Sequence, residues 1–137
     1  MAADQDENGS PHQTPAGELS LRTVAMPADT NPHGQIFGGW LMSLMDLAAG
    51  VSAGDIAKGR VATAAVSNLS FLRPVHVGDV VCCYTHLVRI GRTSIIMHVE
   101  AWILRRNQVP RMKVTAAEFV MVAVDEHGQP RPVIATS

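Results

Sequence analysis

The period of hydrophobic and polar positions changes twice along the chain. Residues 18–25, Glu-Leu-Ser-Leu-Arg-Thr-Val-Ala, alternate in part and predict a first strand. Residues 26–39 have no period. Pro27, Asp29, Asn31, Pro32, Gly34, Gly38 and Gly39 make them a loop. It is long for a connection inside a compact domain, and loops of that length are usually functional or disordered. Ile36 and Phe37 within it predict that it packs down onto the core. From residue 39 to about 58, Leu41, Leu44, Met45, Ala48 and Ser52 recur at helical spacing, and Gly59 is the expected stop. After Arg60 the pattern becomes that of strands. Runs cover 61–73 (closed by Pro74), 80–90, 93–105 and 111–124. Turns fall at His76-Val77-Gly78-Asp79, near Gly91, over 107–110 and at Asp125-Glu126-His127-Gly128, after which Pro130 and Pro132 discourage regular pairing.

The predicted order is strand, long loop, helix, then four strands, each longer than the usual ~5–6 residues. Long antiparallel strands twist and coil. A curled sheet with one apolar helix in its concave face is a two-layer α+β domain. This is the hotdog fold: a long curled antiparallel sheet wrapped around one central helix. Its open edge favours pairing with a second copy, so at least a dimer is expected. Residues 1–17 are rich in Asp, Gln, Pro, Gly and Ser, and predict a disordered N-terminal tail before a domain over 18–134.

Composition narrows the function classes. The 137 residues make about one domain, and 47% hydrophobic residues is ordinary for a globular chain. A net charge of −1 gives no overall attraction to nucleic acid or a membrane surface, so a phosphate-bearing ligand would need a local basic patch. The two cysteines, Cys82 and Cys83, are adjacent; in a strand they point to opposite faces and do not bridge. No spaced Cys or His pairs suggest a metal site. A reduced, cytoplasmic setting is expected. The opening Met-Ala-Ala-Asp-Gln-Asp-Glu is acidic and lacks the apolar stretch of a signal peptide, and no window approaches the ~18 apolar residues of a membrane span.

The chemistry concentrates in Asn31-Pro-His-Gly-Gln-Ile-Phe-Gly-Gly-Trp40 and the following Leu41-Met-Ser-Leu-Met-Asp46. Gly38 and Gly39 sit where the loop becomes a helix. A helix N-terminus has about four N–H groups without internal partners and carries partial positive charge. Glycines leave those groups open to a carbonyl oxygen that becomes an oxyanion; losing such a donor costs ~2.7–4 kcal/mol. A plain glycine turn feeding a helix is the alternative. Asp46 lies about two turns into an otherwise apolar helix. At three and four residues from it stand Met42, Ser43, Ala49 and Gly50, with no Lys or Arg to pair with it. A lone carboxylate is costly to bury, so Asp46 lies either on a solvated face or at a site. Gly50 and Gly54 each weaken the helix by up to ~1 kcal/mol, which fits close approach by another group.

Taken together, Met26-Pro-Ala-Asp-Thr-Asn31, Ile36-Phe-Gly-Gly-Trp40, Met45-Asp46, Phe71-Leu-Arg-Pro-Val75, Val77-Gly-Asp-Val80 and Gly91-Arg-Thr-Ser94 resemble the acyl-CoA thioesterase family of the YciA type. The resemblance runs from about Leu21 to Pro132. It implies a hotdog enzyme of fatty acid metabolism that hydrolyses acyl-CoA, the substrate, without a cofactor. It implies Asp46 as general base or nucleophile, Asn31 positioning water or substrate across a dimer, and N–H groups near Gly38 and Gly39 binding the oxyanion. It also implies dimers that often assemble as hexamers, a trimer of dimers, with sites at subunit interfaces. His33 and Gln35 depart from the pattern of relatives, which often carry an acidic residue in place of Gln35, and the loop 107–111 looks shorter.

For the CoA phosphates, Arg92 with Gly91, Thr93 and Ser94 offers a cation and N–H groups at a strand turn. Arg60, Arg73, Arg111 and Lys113 are further candidates, and solubilising surface charge is the alternative for each. Thr63 and Ser67 are expected to face Asp46 across the dimer, from period-two alternation. His86 and His98 read as packing or sheet-face residues, Trp40 and Trp102 as core or interface anchors. Leu41, Met42, Leu44 and Met45 read as core first and an acyl-chain wall second. Two rival functions stay in view. A hotdog hydratase or dehydratase needs an acid/base pair, and His33, near the glycine loop, has no acidic partner in the motif. A non-catalytic acyl-thioester-binding module would be expected to lack Asp46; a sensor also usually carries a DNA-binding segment, for which 1–17 is too short and too acidic.

Overall fold

The structure, a computed structural model, describes residues 14–105 and 110–134. Its elements are β1 (Glu18–Val24), a 3₁₀ turn at Pro27–Asp29, α1 (Gly38–Ala57), β2 (Val61–Phe71), β3 (Val80–Ile90), β4 (Ser94–Leu104) and β5 (Met112–Ala123). The strands form one antiparallel sheet in the order β1-β3-β4-β5-β2, and α1 packs against all five. The hotdog arrangement expected from the element order is the one observed.

Alternation along the strands sends one set of side chains to the helix. On β4 these are Ile95, Met97, Val99, Ala101 and Ile103; on β5 they include Val114, Ala117, Phe119 and Met121, all buried. The helix answers with Leu41, Met45, Ala48, Ala49, Ala53 and Ala57. Its small residues let the backbone approach the sheet closely. The buried stripe therefore differs from the predicted one: Leu44 and Ser52 are only half-buried. Ser52 instead joins Ser20 of β1 and Thr85 of β3 in a triangle of hydroxyls, with Ser20–Ser52 at 3.0 Å and Ser52–Thr85 at 2.7 Å. Each hydroxyl both donates and accepts, so the three satisfy one another and pin the helix to two strands. At the C-terminus the left-handed residue is Lys58 (φ 57°, ψ 41°), one position before the predicted stop at Gly59.

The face of the sheet turned away from α1 carries a second, smaller apolar cluster of Cys82, Tyr84 and Trp102. Cys83 belongs to the main core, so the adjacent free cysteines do point to opposite faces. Burial pushes the Cys83 thiol up to about 12. The chain is held before residue 18: the Ala16 N–H donates to Glu100 Oε1 at 3.1 Å. Gly17 (φ 98°) lies so close to the Thr85 carbonyl that a side chain there would collide with it. Residues 1–13 of the predicted tail and 106–109 of the predicted loop lie outside the described residues. Ile36 packs against the core as expected, whereas Phe37 is 45% exposed.

The two sheet edges differ. β1 has seven residues, and β2 has eleven, most of them exposed. β2 thus presents a long row of backbone donors and acceptors to a partner. Among the described residues, no helix is long and apolar enough to cross a membrane.

Candidate functional site

Asp46 is half-buried in the third turn of α1 and looks toward the start of β2. There the register of β2 against β5 skips a residue between Thr63 and Ala65. Such a bulge re-aims side chains. Thr63 pairs with the core-facing Met121 and its Oγ1 donates a hydrogen bond to Asp46 Oδ1. The expectation that Thr63 meets Asp46 across a dimer is corrected: the contact forms within one chain. The bulge also corrects Ser67. Beyond it Val66 faces the core and Ser67 pairs with Glu118 on the face away from α1. Plain alternation had placed Thr63 and Ser67 together, and the extra residue separates them.

Asp46 and Thr63 open into a cleft of about 420 Å³, lined further by Leu47, Gly50, Val51, Gly59, Arg60, Val61 and Met121. A carboxylate oxygen beside a hydroxyl, at the mouth of a partly apolar cleft, can accept a proton from water or attack an electrophile. Gly50, expected from the sequence to allow close approach by another group, lines the cleft, whereas Leu47, Val51 and Met121 escaped the sequence reading, because exposed and buried apolar positions look alike before the fold is known.

The N-terminus of α1 lines a different cavity, of about 280 Å³, with Ile36, Phe37, Leu41, Phe71, Arg73, Pro74 and Val75 around Gly38. The two glycines there differ. A Cβ on Gly38 would lie 2.8 Å from the Phe71 ring, so packing explains that glycine. A Cβ on Gly39 would meet only Phe37, at an ordinary 3.4 Å. Gly39 is exposed, and its N–H belongs to the first helical turn, where intrahelical partners are lacking. Gly38 and Asp46 are eight residues apart, ~12 Å along the axis. Within one chain these two parts of the predicted site are not brought together.

Asn31 lies in the loop before α1. Its Oδ1 accepts the N–H groups of His33 (2.9 Å) and Gln35 (3.0 Å), and its own N–H donates to the Gln35 carbonyl at 2.7 Å. The departing residues His33 and Gln35 thus serve the loop through their backbones, and their side chains are exposed. Asn31 does not line the Asp46 cleft.

Gly91, Arg92, Thr93 and Ser94 form the β3–β4 turn. The Gly91 N–H donates to the Ser94 carbonyl, while the Thr93 and Arg92 carbonyls accept from Ala123 and Val133. A Cβ on Gly91 would come within 2.7 Å of Ser94 Oγ. Arg92 is exposed above a hollow it shares with Gly91, Pro132 and Ile134. Ser94 pairs with Val122, which pairs with Ala62, so this turn sits at the same end of the sheet as Thr63 but outside its cleft. Of the other cations, Arg60 lines the cleft. Arg73 donates to the Lys113 carbonyl, Arg111 to the Tyr84 hydroxyl, and Lys113 stands 3.7 Å from Glu100.

Glu100, which the sequence reading passed over, is a buried carboxylate on the opposite face. It accepts from Trp102 Nε1 (2.9 Å), the Ala16 N–H and His98 Nε2 (2.8 Å). Burial pushes its carboxyl up, but the bonds from His98, Trp102 and Ala16 and the charge of Lys113 outweigh that and hold it below the usual range. The His98 ring also packs against that of His86, with centroids 4.9 Å apart and the planes tilted by 38°. Among the described residues, no cluster of His, Cys, Asp and Glu fits a metal ion.

Residues 33–109, more than half of the chain, match the model of the thioesterase superfamily. The chain belongs to that superfamily. The acyl-CoA thioester hydrolase YciA of Salmonella typhimurium is 55% identical over 123 residues, spanning 88% of this chain and 92% of the relative. A hexameric thioesterase from Yersinia pestis superimposes with a TM-score of 0.84 at 50% identity, covering 90% of this chain and 100% of that one. A hexameric broad specificity acyl-coenzyme A thioesterase gives 0.87 at 46% identity, covering 97% and 90%. An aspartate-to-alanine mutant of the latter enzyme has also been crystallised.

Proposed function

We propose that this chain hydrolyses acyl-CoA thioesters to the free acid and CoA, with Asp46 driving the reaction. The observation that carries the reading is the Asp46 carboxylate, held by the Thr63 hydroxyl at an open cleft in a chain of this superfamily. As a general base, Asp46 takes a proton from water while the water oxygen bonds to the thioester carbonyl carbon. The tetrahedral oxyanion then collapses, the C–S bond breaks and the CoA sulfur takes up the proton. Direct attack by Asp46 instead breaks the C–S bond, expels the CoA thiolate and gives an acyl anhydride; one water then opens the anhydride to the free acid, and its proton goes to the thiolate. Water is the only co-reactant in either route, so no cofactor is called for.

The oxyanion donors come from a second copy in this reading. Pairing two β2 edges about a twofold axis is antiparallel and self-complementary. It sets the Val61 end of one strand beside the Phe71 end of the other. Asp46 and Thr63 of one copy then stand near the Gly38–Gly39 helix start and the Asn31 loop of its partner, which closes the ~12 Å gap. Three such dimers make the hexamer, the assembly of the Yersinia pestis relative. Arg60 and Arg92, exposed at the Asp46 end, offer positive charge to the CoA phosphates. The free, buried Cys82 and Cys83 accord with a reducing cytoplasmic setting.

The test is thiol release from a panel of acyl-CoA esters by the wild type and by Asp46→Asn. Turnover by the wild type and a loss of at least ~100-fold in the variant are expected. A wild type that binds the esters without releasing thiol would overturn the reading.

A further inference from the structure

α1 holds four glycines, and they differ in why they are there. Gly38 is required by the Phe71 ring, 2.8 Å from where its Cβ would stand. Gly54 lies at the helix exit, where its Cβ would come within 3.2 Å of the Gly59 carbonyl. Gly39 faces the exposed helix start. Gly50 lies in the middle of the helix, and a Cβ there would meet only the flexible end of Met121, at 3.9 Å. Packing within the chain gives no reason for a glycine at 50, and the helix itself disfavours one. The bare backbone there leaves room for something from outside the chain.

The position of Gly50 says what that is. It is one turn beyond Asp46 on the same face of the helix and lines the same cleft. Asp46, Thr63 and Arg60 make one part of the cleft polar; Leu47, Val51 and Met121 make the rest apolar. Leu47 and Val51 are 55% and 58% exposed, unusually so for large apolar side chains on the helix of a packed domain. At about 420 Å³ the cleft falls within the size range of small-molecule sites. A ligand that matches it has a polar reacting head and an apolar tail.

We propose that the cleft beyond Asp46 is the acyl-chain subsite and that Gly50 sets how long a chain it admits. The inference rests on the thioesterase reading above and adds a specificity-determining residue to it. With the thioester carbonyl at Asp46, the acyl chain runs along α1 over the bare backbone at Gly50, between Val51 and Met121. A side chain at 50 would occupy the path of the chain beyond its first carbons. Short acyl groups would stop before it.

The experiment compares kcat/KM for a series from acetyl-CoA to palmitoyl-CoA in the wild type, Gly50→Ala and Gly50→Val. The readout is the ratio of long-chain to short-chain kcat/KM, with size-exclusion chromatography of each protein alongside. The ratio should fall step by step from Gly to Ala to Val, by at least ~10-fold for Val, since one methylene in an apolar pocket is worth ~10–200-fold. Alanine favours a helix over glycine, so Gly50→Ala should keep or raise Tm. An unchanged ratio would overturn the proposal. So would an equal loss on every ester, or loss of assembly, because the glycine would then serve the approach of a partner backbone. Inactivity of the wild type on all esters would instead remove the thioesterase reading itself.

Discussion

Asp46 and Glu100 each sit in the middle of a regular element, and their surroundings differ. Around Glu100 the chain supplies an indole N–H, a backbone N–H, an imidazole and a lysine, and the side chain is only 6% exposed. Asp79 is treated alike, with the His76 N–H at 2.8 Å and the Arg105 guanidinium at 3.1 Å. At Asp46 the chain supplies the Thr63 hydroxyl and an open cleft. A carboxylate whose lone pairs are filled by its own chain holds structure together. One left with free acceptor capacity at a cavity has room for water or substrate. The difference marks Glu100 as a latch between the N-terminal segment and the sheet, and leaves Asp46 with acceptor capacity at an open cleft.

Substitutions can break this contrast. Asp46→Asn should give the largest effect on turnover, at least ~100-fold, with Tm close to wild type because little of the fold depends on that side chain. Parallel thiol-release and thermal-melting measurements check both halves. Glu100→Gln should do the reverse. Losing charge-assisted hydrogen bonds costs about 2 kcal/mol of stability, read by urea unfolding, while turnover per folded molecule stays near wild type.

The pH dependence sharpens the Glu100 side. Its folded carboxyl is held below the ordinary value of 4.5, so its contribution is present above that value and disappears as pH falls through the lowered one. The stability gap between wild type and Glu100→Gln should therefore be constant at neutral pH and close on acidification below about 4.5. A gap that widens in acid would contradict the assignment. Thr63→Val is the smallest of these changes. It removes one hydroxyl donor to Asp46 and keeps the shape, so kcat should fall by about 10-fold, the effect of one modest hydrogen bond.

Much of the fold was legible in the sequence because burial imposes a period. The 3.6-residue spacing of Leu41, Met45 and Ala48, and the long strand runs closed by Pro74 and the Gly78, Gly91 and Gly128 turns, carry the architecture. Asp46 stood out as a carboxylate among apolar and small neighbours, with no Lys or Arg three or four residues away. What escaped the reading depends on contacts distant in sequence. The bulge at Ala64 reverses the strand's facing, so Thr63 and Ser67 part company. The hydroxyl triangle of Ser20, Ser52 and Thr85 joins three elements by polar atoms that a hydrophobic pattern treats as surface. Glu100 draws His98 and Trp102 from its own strand, but Lys113 from β5 and the N–H of residue 16 complete its surroundings, and those two are distant in sequence.

In the proposed reaction a second copy of the chain completes Asp46. Complementation tests it most directly. Asp46→Asn lacks the carboxylate, and Gly39→Val obstructs the helix start, so each alone should be nearly inactive. When the two variants are unfolded together and refolded as a one-to-one mixture, half the dimers pair one of each. In those, one of two sites joins an intact Asp46 to an intact Gly39. The mixture should recover about a quarter of wild-type thiol release. No recovery above the sum of the separate variants, in mixtures shown to contain mixed dimers, would mean that carboxylate and helix start act within one subunit, and would contradict the account.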